Sequence, residues 1–415
     1  MDRAGSVQLG RDREDAGDPL HNFEPRNIRD APAGGKEDSL IIKDVSIRQN
    51  RVSLDHPHAP APIDCPIAIA GNPAVHDAIL PTDLFMSFRT LPALLAVAVT
   101  AIVATAESPR DGRVVFLGDS VTHAGGFIAR LDLQLRRSDA DCEVLNVGLP
   151  SETVTGLSEP AHPFPRPNVL DRLDSALKVT RPDWVVACYG VNDAIYHPFD
   201  EERFAKFQSG MERLAERVRQ SGARLILMTP PPMDVQAARQ KGFLATRGDG
   251  DTPPTDGYSW KAIDPDYNQT LARYAAWVRD HADAMGAVQV IDLYTPLYES
   301  FRDEGADDSD TAPSGATGEA MTSDGIHPTD AGHAVIADIV LEQWNLPSVA
   351  WPAPAMDLAT RRMAIMRDSL LSQIGHKRPG MPPGMAPQRA QAEADSLDGQ
   401  IDAMIQSDRS VIPSR

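Results

Sequence analysis

The chain has 415 residues and carries 59 acidic against 40 basic residues, a formal net charge of −19. Such an acidic balance argues against nucleic-acid binding, which needs a cationic surface to displace phosphate counterions. Three cysteines are too few for a disulfide-framed mini-protein, and no Cys/His cluster has the spacing of a zinc site. The apolar content of 42% leaves a globular protein of one to three domains.

Residues 1–85 do not have the sequence of a folded domain. They are rich in Pro, Gly and Asp, hold only two aromatic residues, Phe23 and Phe85, and show no sustained helical or strand period. Such a segment buries too little apolar surface to offset its ordering entropy. We expect residues 1–85 to be disordered or to be a mis-assigned extension of the chain.

Residues 86–106 have the pattern of a secretory signal peptide. A short basic start at Met86 leads into the uncharged apolar run Leu91 to Ala106, which ends in Ala104-Thr105-Ala106. The pattern predicts translation from Met86, cleavage before Glu107 and export to the periplasm or the extracellular space. The alternative is a buried helix or an uncleaved anchor, which would be the protein's one contact with a membrane.

Strand and helix patterns alternate from residue 107 to about 350, and each apolar run ends at a turn signal. Continuous apolar runs of this length are typical of strands buried on both faces of a parallel sheet. We therefore predict a three-layer α/β/α sandwich with a doubly wound, flavodoxin-like sheet of five parallel strands. Residues 351–415 are predicted to form a helical C-terminal extension, its first helix packed on the core and its second exposed. The five predicted strands are 114–117, 144–147, 184–188, 225–228 and 288–291.

Two of four short motifs suggest a nucleophile and a base. Ser120 directly follows the first strand, where a strand-to-helix turn exposes its hydroxyl near backbone N–H groups; a plain helix-capping serine is the alternative. His327 precedes Pro328, which suits the start of the last helix of the domain. Asp324, three residues earlier, can bond one imidazole nitrogen and leave the other facing the serine. A solvated loop histidine is the alternative reading.

The other two motifs supply candidate oxyanion donors at the ends of the second and third strands. Gly148 ends Asn146-Val147-Gly148, and a glycine there lets its backbone N–H approach a ligand closely. Asn192, in Gly190-Val191-Asn192-Asp193, has a side-chain amide that can donate to an oxyanion. Taken singly, both residues also fit ordinary turns.

Together the four motifs resemble the SGNH hydrolase superfamily, also called GDSL-type esterases, with Ser120, Gly148, Asn192 and His327 at the four naming positions. Val121 stands where the GDSL name has Leu. The resemblance covers about residues 111–346 and implies a metal-free, cofactor-free serine esterase. It implies that Ser120 attacks an ester, that His327 shuttles the proton and that Asp324 orients His327. It also implies an oxyanion hole of the Ser120 and Gly148 N–H groups and the Asn192 side chain.

Three residues in or just after the Asn192 motif are candidates for the substrate cleft: Asp193, for which a structural role is favoured, Tyr196 and His197. Cys142 and Cys188 are expected to be free thiols, because their stagger on neighbouring strands would be too large for a disulfide.

The motifs predict the type of reaction but not which ester is the substrate. Predicted export, the aromatic residues Tyr258 and Trp260 of the 233–266 insertion and the lack of an apolar lid favour a small acyl group on a carbohydrate or similar alcohol. The sequence therefore predicts a serine esterase that removes O-acetyl groups from a small-molecule or glycan ester. The alternatives are a general short-chain carboxylesterase or lipase-like acylhydrolase, or a non-enzymatic glycan-binding module on a hydrolase-like scaffold.

Overall fold

The computed structural model describes residues 108–246, 257–303 and 319–411, all of which belong to one unit of the chain. The predicted N-terminal extension at 1–85 and the predicted signal peptide at 86–106 lie outside the described residues. The domain boundaries at 107–350 and 351–415 stay predictions.

Five parallel strands form one sheet in the order β2-β1-β3-β4-β5, which confirms the predicted fold class. In this order the chain leaves β1 toward β2 on one side and later returns to place β3 on the other. The carboxyl ends of β1 and β3 therefore border the topological switch point, where open α/β sheets bind their ligands. The strands are β1 (Asp111–Gly118), β2 (Asp141–Asn146), β3 (Trp184–Cys188), β4 (Arg224–Met228) and β5 (Ala287–Ile291).

The sheet is covered by apolar packing on both faces. Val114 and Phe116 of β1 point into one core, whereas Val115 and Leu117 point into the other, and all four side chains are at most 1% exposed. This alternation follows from the two-residue period of a strand and explains why the sequence of β1 is apolar without interruption.

Helices complete the two outer layers. Buried side chains of α3, α4 and α6 belong to the core that contains Val115, and those of α2 and α8 belong to the core that contains Val114. The short helices α5 and α7 were not predicted. The helices are α1 (Ser120–Ala124), α2 (Gly126–Arg137), α3 (Leu173–Thr180), α4 (Glu201–Ser221), α5 (Val235–Lys241), α6 (Tyr267–His281), α7 (Tyr294–Asp303), α8 (Asp330–Gln343), α9 (Ala353–Ile374) and α10 (Pro387–Val411).

The C-terminal helices close the β2 edge of the sheet. Helix α9 contacts β2, α2 and α3, and its buried residues join both cores. The prediction that the second helix is exposed is wrong, because α10 packs along α9 and buries one stripe of side chains. That stripe consists of Ala390, Ala394, Leu397, Ile401 and Ile405, each at most 4% exposed.

The described part of the 233–266 insertion packs against the loop that carries His327. Asp234 donates its backbone N–H to Gly325 O at 2.9 Å and accepts a hydrogen bond from Thr322 Oγ1 at 3.0 Å. Gly325 has a φ of 93°, and a Cβ at this position would lie 2.6 Å from Ala238 Cβ. The insertion and the loop can approach this closely only because residue 325 has no side chain.

None of the helices in the described ranges is both long enough and apolar enough to cross a membrane.

Candidate active site

Ser120 is the first residue of α1, directly beyond the end of β1. Asp119 caps this short helix, because its Oδ1 accepts a hydrogen bond from Val121 N at 3.0 Å. Gly118 permits the sharp turn, since a Cβ there would lie 2.1 Å from Thr122 Oγ1. The turn leaves the Ser120 side chain partly exposed at the carboxyl edge of the sheet.

His327 and Asp324 lie beside Ser120 in a continuous chain of hydrogen bonds. His327 Nε2 is 2.9 Å from Ser120 Oγ, and His327 Nδ1 is 2.8 Å from Asp324 Oδ2. The other carboxylate oxygen of Asp324 accepts the backbone N–H groups of Ile326 and His327 at 3.0 and 2.8 Å. One carboxylate thus fixes both the turn and the imidazole ring.

The charges in this chain of contacts determine which imidazole nitrogen carries the proton. Burial alone would raise the pKa of Asp324, but hydrogen bonds from His327 and from two backbone N–H groups lower it to about 2. An ionised carboxylate only accepts hydrogen bonds, so Nδ1 of His327 carries a hydrogen and Nε2 is free to accept the Ser120 proton. Partial burial would lower the pKa of His327, but its hydrogen bond to Asp324 and the charges of Asp324 and Asp119 raise it.

Asp119 adds a second, buried carboxyl group next to this chain. It is 6% exposed, and burial raises its pKa to about 6, although the hydrogen bond from Val121 N and the charges of His327 and Arg166 act in the opposite direction. A carboxyl group with this pKa titrates in the range where a histidine base would also titrate.

Asn192 lies at the end of β3 with its side-chain amide held on both sides. Its Oδ1 accepts hydrogen bonds from Arg166 Nη1 at 2.9 Å and from the Tyr196 hydroxyl at 2.8 Å. Its Nδ2 is directed toward Asp119 Oδ2 and Glu152 O, each at 3.3 Å. The amide hydrogens therefore lie on the side where Asp119 adjoins Ser120.

Gly148 lies against the helix that begins with Ser120. A Cβ at residue 148 would lie 2.6 Å from the backbone N of His123, so only glycine allows this approach. Its backbone N–H donates to Asn146 Oδ1 at 2.8 Å, and Asn146 Nδ2 in turn donates to Thr122 O at 2.6 Å. The structure places Gly148 next to the turn that carries Ser120, and its role as an oxyanion donor stays a prediction.

The structure buries two of the three substrate-cleft candidates, Asp193 and Tyr196. Asp193 is fully buried, and its Oδ1 accepts the backbone N–H groups of Val154 and Thr155, which gives it the structural role favoured from the sequence. Tyr196 is 4% exposed and contacts Asn192 rather than solvent. His197 is partly exposed, as a cleft residue would be, and its ring packs against Tyr258.

Two buried ion pairs beside the site were not predicted. Arg166 binds Glu159 at 2.7 Å, and Arg172 binds Glu152 at 2.6 Å, with both carboxylates fully buried. Neither pair has the spacing of a helical or strand contact, so no local pattern marks it in the sequence.

Within the ranges that the structure describes, no group of three or more His, Cys, Asp or Glu side chains is arranged to hold a metal ion.

Cys142 and Cys188 are free thiols, as predicted, although β2 and β3 are separated by β1 rather than adjacent. Cys142 pairs in register with Gly112 at one end of β1, and Cys188 with Gly118 at the other. The two thiols therefore lie too far apart for a disulfide.

A model of the GDSL-like Lipase/Acylhydrolase family matches residues 116–335, more than half of the chain. The chain belongs to this family. The match contains Ser120, Gly148, Asn192, Asp324 and His327, and it ends before α9. The family is one of lipases and acylhydrolases. A comparison with curated proteins gave no match.

Several solved structures are similar in fold. A gut microbial diltiazem-metabolizing enzyme is 19% identical, with a TM-score of 0.42, over 58% of this chain and 49% of that one. A mutant acetyl-xylooligosaccharide esterase from Geobacillus is 18% identical, with a TM-score of 0.40, over 59% of this chain and 100% of that one. A GDSL-like lipase from Bacteroides thetaiotaomicron is 16% identical, with a TM-score of 0.35, over 58% and 93%. At this level of similarity no residue role is transferred from these proteins.

Proposed function

We propose that the protein is a serine esterase that removes a short acyl group, foremost acetyl, from a carbohydrate or a similarly polar alcohol. The observation that carries the catalytic part is the continuous contact from Ser120 Oγ through His327 to Asp324, at 2.9 and 2.8 Å. This arrangement joins a nucleophile, a base and an orienting acid, which is the minimum that acyl transfer through a serine requires.

In the first half of the reaction, Ser120 Oγ forms a bond to the ester carbonyl carbon while its proton passes to His327 Nε2. Asp324 stabilises the imidazolium that forms, because its ionised carboxylate already accepts the Nδ1 hydrogen. The tetrahedral oxyanion accepts hydrogen bonds from the backbone N–H group of Ser120 and from Asn192 Nδ2. The Gly148 N–H joins them when it exchanges its hydrogen bond to Asn146 Oδ1 for the oxyanion. When the intermediate collapses, the bond to the alcohol oxygen breaks and Nε2 returns the proton to that oxygen.

The second half repeats these proton transfers with water. A water molecule gives a proton to His327 Nε2 and attacks the acyl carbon of the Ser120 ester. Collapse releases the carboxylic acid and returns the proton to Ser120 Oγ. Each oxyanion donor is expected to contribute ~10²–10³ in turnover.

One surface feature, the partly exposed Trp260, supports a polar substrate. Trp260 is partly exposed, and its backbone N lies 3.4 Å from Glu159 Oε1, which connects it through Arg166 to Asn192. The Trp260 ring packs against Phe243, and Lys261 Nζ lies 4.5 Å from its centre, so only the exposed remainder of the ring can contact a sugar. Tyr258 of the same insertion is buried, at 4% exposed.

The apolar surface gives no support for a lipid substrate. In the described part of the chain, the one large apolar side chain that is exposed is Val288, on the edge strand β5. Enzymes that act on lipid surfaces present an apolar face to the membrane. Export through the segment at 86–106, which the sequence predicts, would place the enzyme among extracellular glycans.

The test is hydrolysis of p-nitrophenyl esters from acetate to octanoate, and of acetylated xylooligosaccharides, by the full chain. Ser120→Ala should abolish turnover and stoichiometric labelling by a fluorophosphonate. Ser221→Ala, at the end of α4, serves as the matched control and should change neither. Acetate preference together with release of acetate from the glycan supports the proposal. Rates that rise with acyl length would replace it with a lipase-like activity, and a folded protein inactive on every ester would refute it.

A further inference from the structure

The buried ion pair of Arg166 and Glu159 contacts Asn192 through Arg166 Nη1. We propose that Arg166 is a positioning residue for ester hydrolysis, because its guanidinium, fixed by Glu159, orients and polarises the Asn192 amide toward the oxyanion. This inference rests on the proposed serine-esterase function.

The geometry of the guanidinium leaves one donor group with a fixed direction. Arg166 Nε and Nη2 contact the two carboxylate oxygens of Glu159, each at 2.7 Å, and the two side chains are 2% and 0% exposed. A planar guanidinium held by two parallel hydrogen bonds cannot rotate. Its remaining nitrogen, Nη1, therefore points at a fixed place, and there it lies 2.9 Å from Asn192 Oδ1.

The amide of Asn192 has only one orientation that satisfies its neighbours. Arg166 Nη1 and the Tyr196 hydroxyl both approach Oδ1, at 2.9 and 2.8 Å, and together they occupy the two lone pairs of that oxygen. A flipped amide would place its own N–H groups against the guanidinium, which has no acceptor. The Nδ2 hydrogens are thereby held on the side of Asp119, the residue before Ser120.

Backbone strain at Ile195 and Tyr196 supports a dedicated role for the contact between Tyr196 and Asn192. Ile195 and Tyr196 have φ values of 47° and 63°, a left-handed conformation that side chains other than glycine rarely adopt and that is costly for a β-branched residue. This turn brings the Tyr196 hydroxyl back onto Asn192, four residues earlier. The guanidinium of Arg166 also lies 5.4 Å from the centre of the Tyr196 ring, so all three side chains form one unit.

The positive charge of Arg166 polarises the Asn192 amide as well as orienting it. Burial alone would lower the pKa of Arg166, but the hydrogen bond and the charge of Glu159 raise it, so the guanidinium stays cationic. A cation on Oδ1 withdraws electrons from the amide and makes Nδ2–H a stronger donor. The resting contacts of Nδ2 with Asp119 and Glu152, both at 3.3 Å, are long for a hydrogen bond, so a developing oxyanion can compete for these hydrogens.

The test replaces the ion pair as a unit, because removing one partner would leave a buried charge. The double variant Arg166→Met/Glu159→Gln is compared with Arg113→Met/Glu143→Gln, the same substitutions in a pair at the amino-terminal ends of β1 and β2. On p-nitrophenyl acetate the first should lower kcat by ~10–100-fold with KM changed less than ~3-fold, since the lost contact acts in the transition state. The second should leave both parameters unchanged.

A double-mutant cycle separates positioning from a structural role. In an Asn192→Ala background the same ion-pair change should cost less than ~2-fold in kcat, because the group it positions is gone. Equal losses with and without Asn192 would overturn the inference, as would a pair variant with the wild-type kcat. If Ser120→Ala retains activity, the proposed function itself fails, which is a separate result.

Arg166→Lys provides the second measurement if the pair variant does not fold. Lysine keeps the charge beside Glu159 but cannot also direct a second donor at Asn192 Oδ1. We expect it to fold with a lowered melting temperature, because one of the two hydrogen bonds to Glu159 is lost. Its kcat should fall between those of the wild type and the pair variant, again only when Asn192 is present. Full kcat in Arg166→Lys would overturn the inference.

Discussion

Replacing Asp324 by asparagine tests the chain of contacts from Ser120 to His327 with the smallest change in shape. The asparagine Oδ1 can still accept the backbone N–H groups of Ile326 and His327, so the turn is expected to persist. Its amide, however, would present hydrogens to His327 Nδ1. The imidazole would then carry its proton on Nε2, where it cannot accept the proton of Ser120.

The expected loss follows from the tautomer and from the charge. A base held in the wrong tautomer lowers kcat by ~10⁴. The carboxylate itself is strongly stabilised, since the pKa of Asp324 falls from 3.8 to about 2. At 1.36 kcal/mol per pKa unit this is roughly 2.5 kcal/mol, shared between His327 and the two backbone N–H groups.

The same substitution should also change how the melting temperature and kcat/KM depend on pH. The depressed pKa of Asp324 stabilises the folded protein above the pKa of the unfolded state, and this stability is lost as pH falls toward about 2. The melting temperatures of Asp324→Asn and wild type should therefore differ at pH 7 and converge below pH 4. Without the carboxylate the pKa of His327 falls, so the acid limb of the residual kcat/KM should move to lower pH.

The assay is p-nitrophenyl acetate hydrolysis by the full chain across pH 4–9, with thermal unfolding measured from pH 7 down to pH 2. Asp200→Asn is the matched control: Asp200 also accepts a backbone N–H three residues on, from Arg203 at 2.8 Å, but caps α4 away from the site. It should keep the wild-type kcat. A loss below ~10-fold in Asp324→Asn, or an acid limb that does not move, would refute the assignment of Asp324 as the group that orients His327.

Three further results are expected. Asp119→Asn keeps the cap of α1 but removes a negative charge that raises the pKa of His327, so the acid limb of kcat/KM should shift to lower pH. Cys142 and Cys188 should both titrate as thiols in the unfolded protein without reductant, and Cys188 should be unreactive in the folded protein because it is buried and burial raises its pKa. Arg367→Met removes a 2.7 Å hydrogen bond from α9 to a backbone carbonyl of α1, and the free energy of unfolding, measured by urea denaturation, should fall by roughly 1.5–3 kcal/mol.

Each of these results has a contrary outcome. Arg361, on the same helix as Arg367, is 63% exposed, and Arg361→Met should change stability by less than ~1 kcal/mol. Equal losses in the two variants would mean that the contact with α1 is not the cause. A disulfide found between Cys142 and Cys188 by mass spectrometry would contradict the strand register, and an acid limb unchanged in Asp119→Asn would remove Asp119 from the electrostatics of His327.

The sequence could predict the five strands and the four motifs because both are local patterns. Buried parallel strands require uninterrupted apolar runs, and the turns after the first three runs place Ser120, Gly148 and Asn192 at the carboxyl edge of the sheet. The motif of Asp324 and His327 was instead marked by Pro328 near the start of a helix. Ser120, Asp324 and His327 were therefore found before their distances were known. The packing of α10 was missed although its buried positions follow a helical stripe, because two of them, Ala390 and Ala394, are small and charged residues surround them.

Only the tertiary structure decided how the candidate oxyanion donor Asn192 is held. Arg166 reaches it from the loop after β2, where Glu159 holds the guanidinium, and Tyr196 folds back onto it from the same turn. These contacts depend on a buried ion pair and on two residues with positive φ. Likewise, burial turned Asp193 from a cleft candidate into a support for the loop at Val154. Sequence alone determined which chemical groups the chain brings to the edge of its sheet. Their orientation and burial depend on long-range packing, which no spacing along the chain encodes.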